Sequence, residues 1–269
     1  MPRYLKLLSV LSCIAFGFSS SLSLAESELF ETRLSEPAAL QEAVKPNQET
    51  AKAVNKNVPK SILTQYEVSK NGQPFARVKE QFKLTGKQYH IESVTKGLGV
   101  YALMGERILT SKGDWDESGL KPQHFELHQG DNAKKTLLAD FDWAKQSLQM
   151  TVKGKPKMAT LLPGTQDLAS FAYQFMFSDA LELKKSITLP VTTGKKLNQY
   201  QYKIEGEEHL EINGKAYRTL HLVESDPDKT AAESKQFWLD MDHHFVPVRI
   251  TMTEDGALLE QIVTGLQID

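Results

Sequence analysis

The sequence holds one cysteine, Cys13, among 269 residues. Such scarcity excludes an intramolecular disulfide and a cysteine metal cluster, and leaves stability to a packed core. Charge of neither sign dominates: 32 Lys and Arg against 34 Asp and Glu leave a formal net charge of −2. A broad basic field that would recruit nucleic acid or an anionic membrane is therefore absent. No apolar run approaches the ~20 residues that a membrane-spanning helix needs. The Gly-x-Ser-x-Gly elbow, the His-Glu-x-x-His zinc motif and the Walker loop are all missing, so the local signatures of common hydrolases and nucleotide enzymes are not found. The chain is expected not to be an enzyme and to hold no metal or other cofactor.

What is present begins with the leader. Arg3 and Lys6 form a basic stretch, residues 7–18 a 12-residue apolar core, and Ser23-Leu24-Ala25 a small-x-small end. This is the form of a secretory signal peptide, with cleavage expected after Ala25 and a periplasmic destination. The lipoprotein alternative, Val10-Leu11-Ser12-Cys13, fits poorly because Leu11 is bulky and the apolar run continues beyond Cys13. Removing residues 1–25 takes away two cations, no acid and Cys13, so the net charge becomes −4.

Three parts are expected: the signal peptide 1–25, a flexible lead 26–59, and a single β-rich domain 60–269. Pro37, Pro46 and Pro59 punctuate a lead rich in Glu, Gln, Ala and Lys, a composition too poor in large apolar groups to offset its ordering entropy. From Ile62 the apolar period becomes two, the mark of a strand. Ile62, Tyr66 and Val68 share a face. Ala76, Val78, Phe82 and Leu84 share another, after an Asn71-Gly72 hairpin signal. Similar runs follow at Tyr89 and Ile91, Phe125 and Leu127, Leu148 to Val152, and Tyr200 to Ile204. Asn213-Gly214 and Asp255-Gly256 signal further hairpins, the second leading to Leu258 and Ile262. At least ten strands result, joined by connections too short for helical crossovers, so the sheet is expected to be antiparallel.

One stretch departs from this pattern. After Pro163-Gly164, Thr165 or Asp167 is placed to cap a helix over residues 168–183, which is apolar around nearly its whole circumference. A helix of that kind needs cover on several sides. The expected fold is therefore mainly β: a strongly curved antiparallel sheet or incomplete β-barrel with one apolar helix on its concave side.

Several short pieces carry a resemblance. They are Tyr66-Glu67-Val68 with the Gly72 turn, Tyr89-His90-Ile91-Glu92-Ser93 running on to Gly97-Leu98, and Ser111-Lys112-Gly113 with Gly119-Leu120-Lys121-Pro122. Asp140-Phe141-Asp142-Trp143, Gln166-Asp167-Leu168-Ala169-Ser170, Trp238-Leu239 and Pro247-Val248-Arg249-Ile250 complete them. Together they resemble an exported bacterial family catalogued as domain-of-unknown-function family 3108. That resemblance implies a periplasmic or outer-surface protein and supplies no activity or catalytic residues. The architecture also looks like that of the periplasmic lipoprotein carriers, half-open β-barrels; fold alone does not carry function.

Candidate chemistry is sparse. His124, Glu126 and His128 share a strand face, but the two histidines lie about 13 Å apart in an extended strand, too far to bind one metal together. Asp140 and Asp142 lie side by side and flank no substrate. His243-His244, beside Asp240 and Asp242, read as a hairpin connection, and Asp114, Asp116 and Glu117 around Trp115 as a solvated loop. Ser170 is the one serine singled out, with no elbow around it. The aromatics are more telling: Phe171, Phe175, Met176, Tyr200, Tyr202 and Trp238 are the candidate lining of a lipophilic pocket. The expected function is non-enzymatic binding of an apolar small molecule or lipid. The alternative is an envelope scaffold with a solid core that contacts a partner protein. Vacant room beside residues 168–183 separates the two.

Overall fold

The computed structural model describes residues 58–130, 135–226, 233–254 and 256–269. The expected signal peptide, its cleavage site and nearly all of the expected lead lie outside the described residues. Fifteen strands form one sheet: β1 (Ser61–Lys70), β2 (Gln73–Thr85), β3 (Gln88–Gly97), β4 (Arg107–Asp116), β5 (Gly119–Gln129), β6 (Leu137–Asp142), β7 (Ser147–Val152), β8 (Lys155–Thr160), β9 (Gln166–Asp167), β10 (Ser186–Thr192), β11 (Leu197–Ile212), β12 (Lys215–Glu224), β13 (Gln236–Asp240), β14 (Val246–Glu254) and β15 (Ala257–Ile268). The order is β8-β7-β6-β5-β4-β3-β2-β1-β15-β14-β13-β12-β11-β10-β9. Two meandering limbs thus meet where β1 pairs with β15, and the sheet ends on β8 and β9 instead of closing. Every pairing is antiparallel except the two-residue contact of β9 with β10.

Local sequence explains the hairpins. Asn71 and Gly72, and Asn213 and Gly214, all take positive φ, the twist-matched turn geometry that Asn-Gly favours. Alternation sets the faces: Ile62, Thr64, Tyr66 and Val68 are buried on β1, as are Tyr89, Ile91, Ser93 and Thr95 on β3. β15 alternates in the same way. Its inward set is Ala257, Leu259, Gln261 and Val263, while Leu258 is exposed and Ile262 only partly buried. The Asn71 side chain accepts from the Leu258 N–H and holds that register, so the polar Gln261 takes an inward place. Trp115 is on a strand, β4, and not in a loop.

Bulges in β2, β5, β11, β14 and β15 interrupt the ladder and supply bends where the sheet curves. The curvature brings the limbs together. A Cβ added to Gly194, in the turn after β10, would lie 3.0 Å from Leu137 Cβ and 3.3 Å from a Phe125 ring carbon, although β10 belongs to one limb and β5 and β6 to the other. The Gln166 side chain on β9 donates to the Leu120 carbonyl on β5 (2.8 Å).

Residues 168–183 occupy the concave side, and here the structure differs from expectation. In place of one helix there are two short 3-10 turns, Tyr173–Phe177 and Leu181–Leu183. The reason lies in the spacing. Phe171, Tyr173, Phe175 and Phe177 are all buried, a two-residue period. An α-helix, advancing about 100° per residue, would send alternate side chains to nearly opposite sides. Ala180, left-handed at φ 43, breaks the segment again.

The limb contact has a direct test. Gly194 and Gly154 have nearly the same φ, 76 and 75, but only Gly194 faces atoms of the opposite limb. Gly194→Ala should be more destabilising than Gly154→Ala by about 1–3 kcal/mol, the usual cost of overpacking, in urea unfolding. Equal losses would show that the limbs do not press on each other there.

Candidate functional site: the filled concave face

The concave face is an apolar cradle, and residues 168–183 fill it as a plug. Phe171 and Phe175 pack edge-on to each other (6.5 Å between ring centroids), Phe171 lies 5.7 Å from Phe237, and Tyr202 stands 5.4 Å from Phe237. On the other side Tyr173 stacks on Phe82 at 5.0 Å. Of the six residues expected to line a pocket, Phe171, Phe175 and Tyr202 come together at the centre of this cluster. Met176 and Tyr200 pack at its margin, partly buried. Trp238 is not among them. It belongs to a second, smaller core cluster, stacked on His221 at 4.3 Å with the Arg249 guanidinium 4.5 Å from its ring centroid. Strand parity is the cause: its neighbour Phe237 points inward, so Trp238 points outward. Phe237, which alternates with Leu239, takes the inward place that the expected lining gave to Trp238.

A buried polar knot pins the plug to the sheet. Asp167 Oδ1 accepts from the N–H groups of Ala169 and Ser170, both at 2.9 Å, while Ser170 Oγ accepts from the Asp167 N–H at 2.9 Å. This reciprocal arrangement works like a capping box. The other carboxylate oxygen, Oδ2, accepts from Ser111 Oγ on β4 at 2.6 Å, and Ser111 meets the Tyr89 hydroxyl on β3 at 2.9 Å. Asp167, Ser170 and Ser111 have no exposed surface. Burial raises the Asp167 pKa to about 6, against the lowering effect of these hydrogen bonds. With its Oγ engaged by the Asp167 backbone, Ser170 has a structural role, and no described histidine is hydrogen-bonded to it.

Beside the plug lies a small cavity of about 50 Å³, with Leu168, Ala169 and Phe171 on one wall. Its sheet walls mix apolar groups with Glu80, Arg107, Lys235 and Gln261. Glu80 accepts from Ser93 Oγ at 3.0 Å and, more distantly, from the Tyr173 hydroxyl at 3.5 Å. Burial pushes its carboxyl pKa up, the two hydrogen bonds opposing. The buried polar atoms without a hydrogen-bond partner among the described residues include the Tyr202 hydroxyl, Gln166 Oε1 and Thr64 Oγ1.

The remaining candidates lie elsewhere. His124 sits between Asp140 (Nδ1, 2.6 Å) and Glu126 (Nε2, 2.6 Å), and Glu126 reaches on to His128 Nε2 at 2.8 Å. Two carboxylates facing both ring nitrogens call for a doubly protonated ring. Burial works against that charge, but the hydrogen bonds to Glu126 and Asp140 outweigh it and the His124 pKa is raised. This is a surface charge network; among the described residues no group of three or more His, Cys, Asp or Glu is arranged to hold a metal. Asp142 pairs instead with Lys145 at 2.8 Å. Asp240 and Phe245 bracket the expected hairpin connection between β13 and β14, where His243 bonds the buried Asp240 carboxylate at 2.7 Å. Asp114 and Asp116 fall on β4, not in a loop. Two Ser-x-x-Lys spacings, Ser93 with Lys96 and Ser118 with Lys121, form no dyad: Ser93 donates to Glu80 and Ser118 to Asp116, while Lys96 pairs with Glu106.

The family model described as "Protein of unknown function (DUF3108)" matches residues 65–257. No curated protein matches the sequence. Among solved structures, the chain is similar to a β-barrel-like protein of domain of unknown function DUF1849 from Brucella abortus, at 11% identity and a TM-score of 0.49, over 78% of this chain and 98% of that one. A DUF1329 family protein from Desulfovibrio piger is similar at 10% identity and a TM-score of 0.29, over 79% of this chain and 87% of that one.

The buried carboxylate makes stability pH-dependent. A folded-state pKa of about 6 against an ordinary 3.8 means that the folded protein binds the proton more tightly. Stability therefore falls as pH rises from about 4 to 6, by roughly 3 kcal/mol from this group. Asp167→Asn keeps an oxygen for the two N–H groups and removes the titration. Relative to it, the wild type should gain about that much stability when urea unfolding is moved from pH 7 to pH 4; an unchanged difference would contradict the assignment.

Proposed function

The chain belongs to the family of proteins of unknown function DUF3108, and we propose that it is an exported, non-enzymatic binding protein that receives an apolar or lipid-like ligand on its concave face. The carrying observation is the occupant of that face. An apolar cradle drawn from both limbs of a bent sheet is filled by a tethered segment of the same chain, in short 3-10 turns. In this reading residues 168–183 hold the place of the ligand and move aside when it arrives. The short turns have few internal hydrogen bonds to lose. The unpartnered Tyr202 hydroxyl and Gln166 oxygen each cost about 1–3 kcal/mol where they are, and plug movement would let them find partners. The leader ending at Ala25 supports export.

A second reading is favoured by the size of the cavity. About 50 Å³ is far below the ~300 Å³ and more of ordinary ligand pockets. A permanently filled interior would make the protein a solid scaffold whose outer surface contacts a partner in the envelope.

A neutral hydrophobic fluorophore, N-phenyl-1-naphthylamine, separates the two. The delipidated mature chain should bind it saturably, one per molecule, with its near-UV circular dichroism intact. Phe175→Ala, which removes a plug anchor, should tighten binding about tenfold for every 1.4 kcal/mol by which it favours the open form. Absence of saturable binding in both proteins would leave the scaffold. Export has its own check: the intact mass of protein recovered from the periplasm should correspond to a chain beginning at Glu26, and an uncleaved chain would refute it.

A further inference from the structure

One stretch of β5 is a sheet edge with no strand beside it. β6 pairs only with residues 124–127 of β5, and among the described residues no strand pairs with residues 119–123 on the side away from β4. The N–H and C=O groups of such an edge need other partners, and side chains supply them. The Gln174 carboxamide accepts from the Leu120 N–H at 2.9 Å and donates to the Ser118 carbonyl at 3.0 Å. Gln166 donates to the Leu120 carbonyl at 2.8 Å, and the Trp143 indole N–H donates to the Pro122 carbonyl at 2.6 Å. Gln174 belongs to the plug, so a neutral side-chain amide fastens the middle of the plug to this edge. Gly119 makes the approach possible: it takes φ 128, and a Cβ there would fall on the Gln174 carboxamide. The two fastenings of the plug differ in exposure. Asp167 and its partners Ser111 and Ser170 have no exposed surface, whereas Gln174 is half-buried and water competes for its bonds. Gln174 also lines a recess of about 280 Å³, together with Leu120, Trp143, Leu161 and Pro163. Leu120 and Leu161 are members of the main core, so the floor of the recess is the apolar interior itself.

We propose that the apolar ligand enters the cradle through this recess, and that Gln174 is the latch that keeps the plug shut across it. This rests on the reading that the concave face binds an apolar ligand, and it names the point of entry and the residue that controls it. The recess, at about 280 Å³, is close to the ~300 Å³ at which ordinary ligand pockets begin. An apolar chain end placed there meets Leu120 and Leu161. Exchange of the two Gln174 bonds for bonds to water frees the middle of the plug, while the buried knot at Asp167 holds its start in place as a hinge. The contrast along β5 favours this end. At Phe125 the opposite limb packs directly, through Gly194; at Leu120 a side-chain amide bridges the gap. Gln174 acts by position: the latch exists only in the closed form, so its loss speeds association and leaves dissociation unchanged.

The test is stopped-flow mixing of the full mature chain with N-phenyl-1-naphthylamine. Gln174→Leu keeps the bulk and removes both bonds; Gly119→Ala displaces the carboxamide and leaves Gln174 in the chain. Each should raise the association rate about tenfold with the dissociation rate unchanged. Gln174→Glu, which keeps the acceptor and loses the donor, should fall between. Gln149→Leu, at an exposed glutamine on β7, should change nothing. The point of entry is checked with the latch intact. The chain after residue 25 holds no cysteine, so Pro163→Cys places a single thiol at the recess, and Gln73→Cys places one on the exposed start of β2 for comparison. A bulky maleimide polymer at position 163 should slow association about tenfold by blocking access, and the same polymer at position 73 should not. Rates that neither Gln174→Leu nor Gly119→Ala changes, or an unimpeded rate after modification of Pro163→Cys, overturn the entry assignment and leave the apolar-ligand reading standing. If the fluorophore never binds, that reading itself fails and takes this inference with it. The blocked-recess comparison keeps the latch and the plug unaltered, so it decides the matter even if a latch variant fails to fold.

Discussion

The arrangement of the interior depends on one buried carboxylate. Asp167 accepts two backbone N–H groups at the start of the plug and a hydroxyl from β4, and through Ser111 it reaches Tyr89 on β3. Without it, three donors would be left in a space with no exposure, each costing about 1–3 kcal/mol. The same residue pairs with β10 through β9. Asp167 therefore ties the plug to both limbs of the sheet. Its burial is unfavourable for the charged form, as its raised pKa records. The knot is thus both specific and poised: it fixes one position of the plug and carries an electrostatic cost for doing so.

Curvature is the second requirement. A flat meander of fifteen strands would leave the aromatics of residues 171–177 covered on one side only. Bulges opposite Gln65/Tyr66, Val68/Ser69 and Trp238/Leu239 interrupt the middle of the sheet, and Gly194 lets the far turn close on Leu137 and Phe125. The two limbs then supply opposite walls of a single core: Phe82 and Ile91 from one, Tyr202, Leu222 and Phe237 from the other. The same bend places Arg107 and Lys235 on one cavity.

Much of this was legible in the sequence. Alternation fixed the inward faces of β1 and β3, and Asn-Gly marked two hairpins, because hydrophobic parity and turn chemistry are local properties. The apolar circumference of residues 168–183 correctly announced a segment covered on several sides. Its secondary structure was misread, since the aromatics at 171, 173, 175 and 177 follow a period of two and suit no α-helical face. Trp238 was assigned by residue type when the parity of Phe237 pointed the other way. The convergence of Arg107 and Lys235 had no local signal at all: it depends on strand order and curvature, which no short window of sequence contains.

Hydrogen–deuterium exchange of the mature chain, with and without saturating neutral fluorophore, tests plug movement most directly. Amides of residues 168–183 should lose protection when the fluorophore binds, while those of β2, β3 and β13 keep or gain it. Protection of residues 168–183 that is unchanged or increased at saturation would contradict the exchange of plug for ligand.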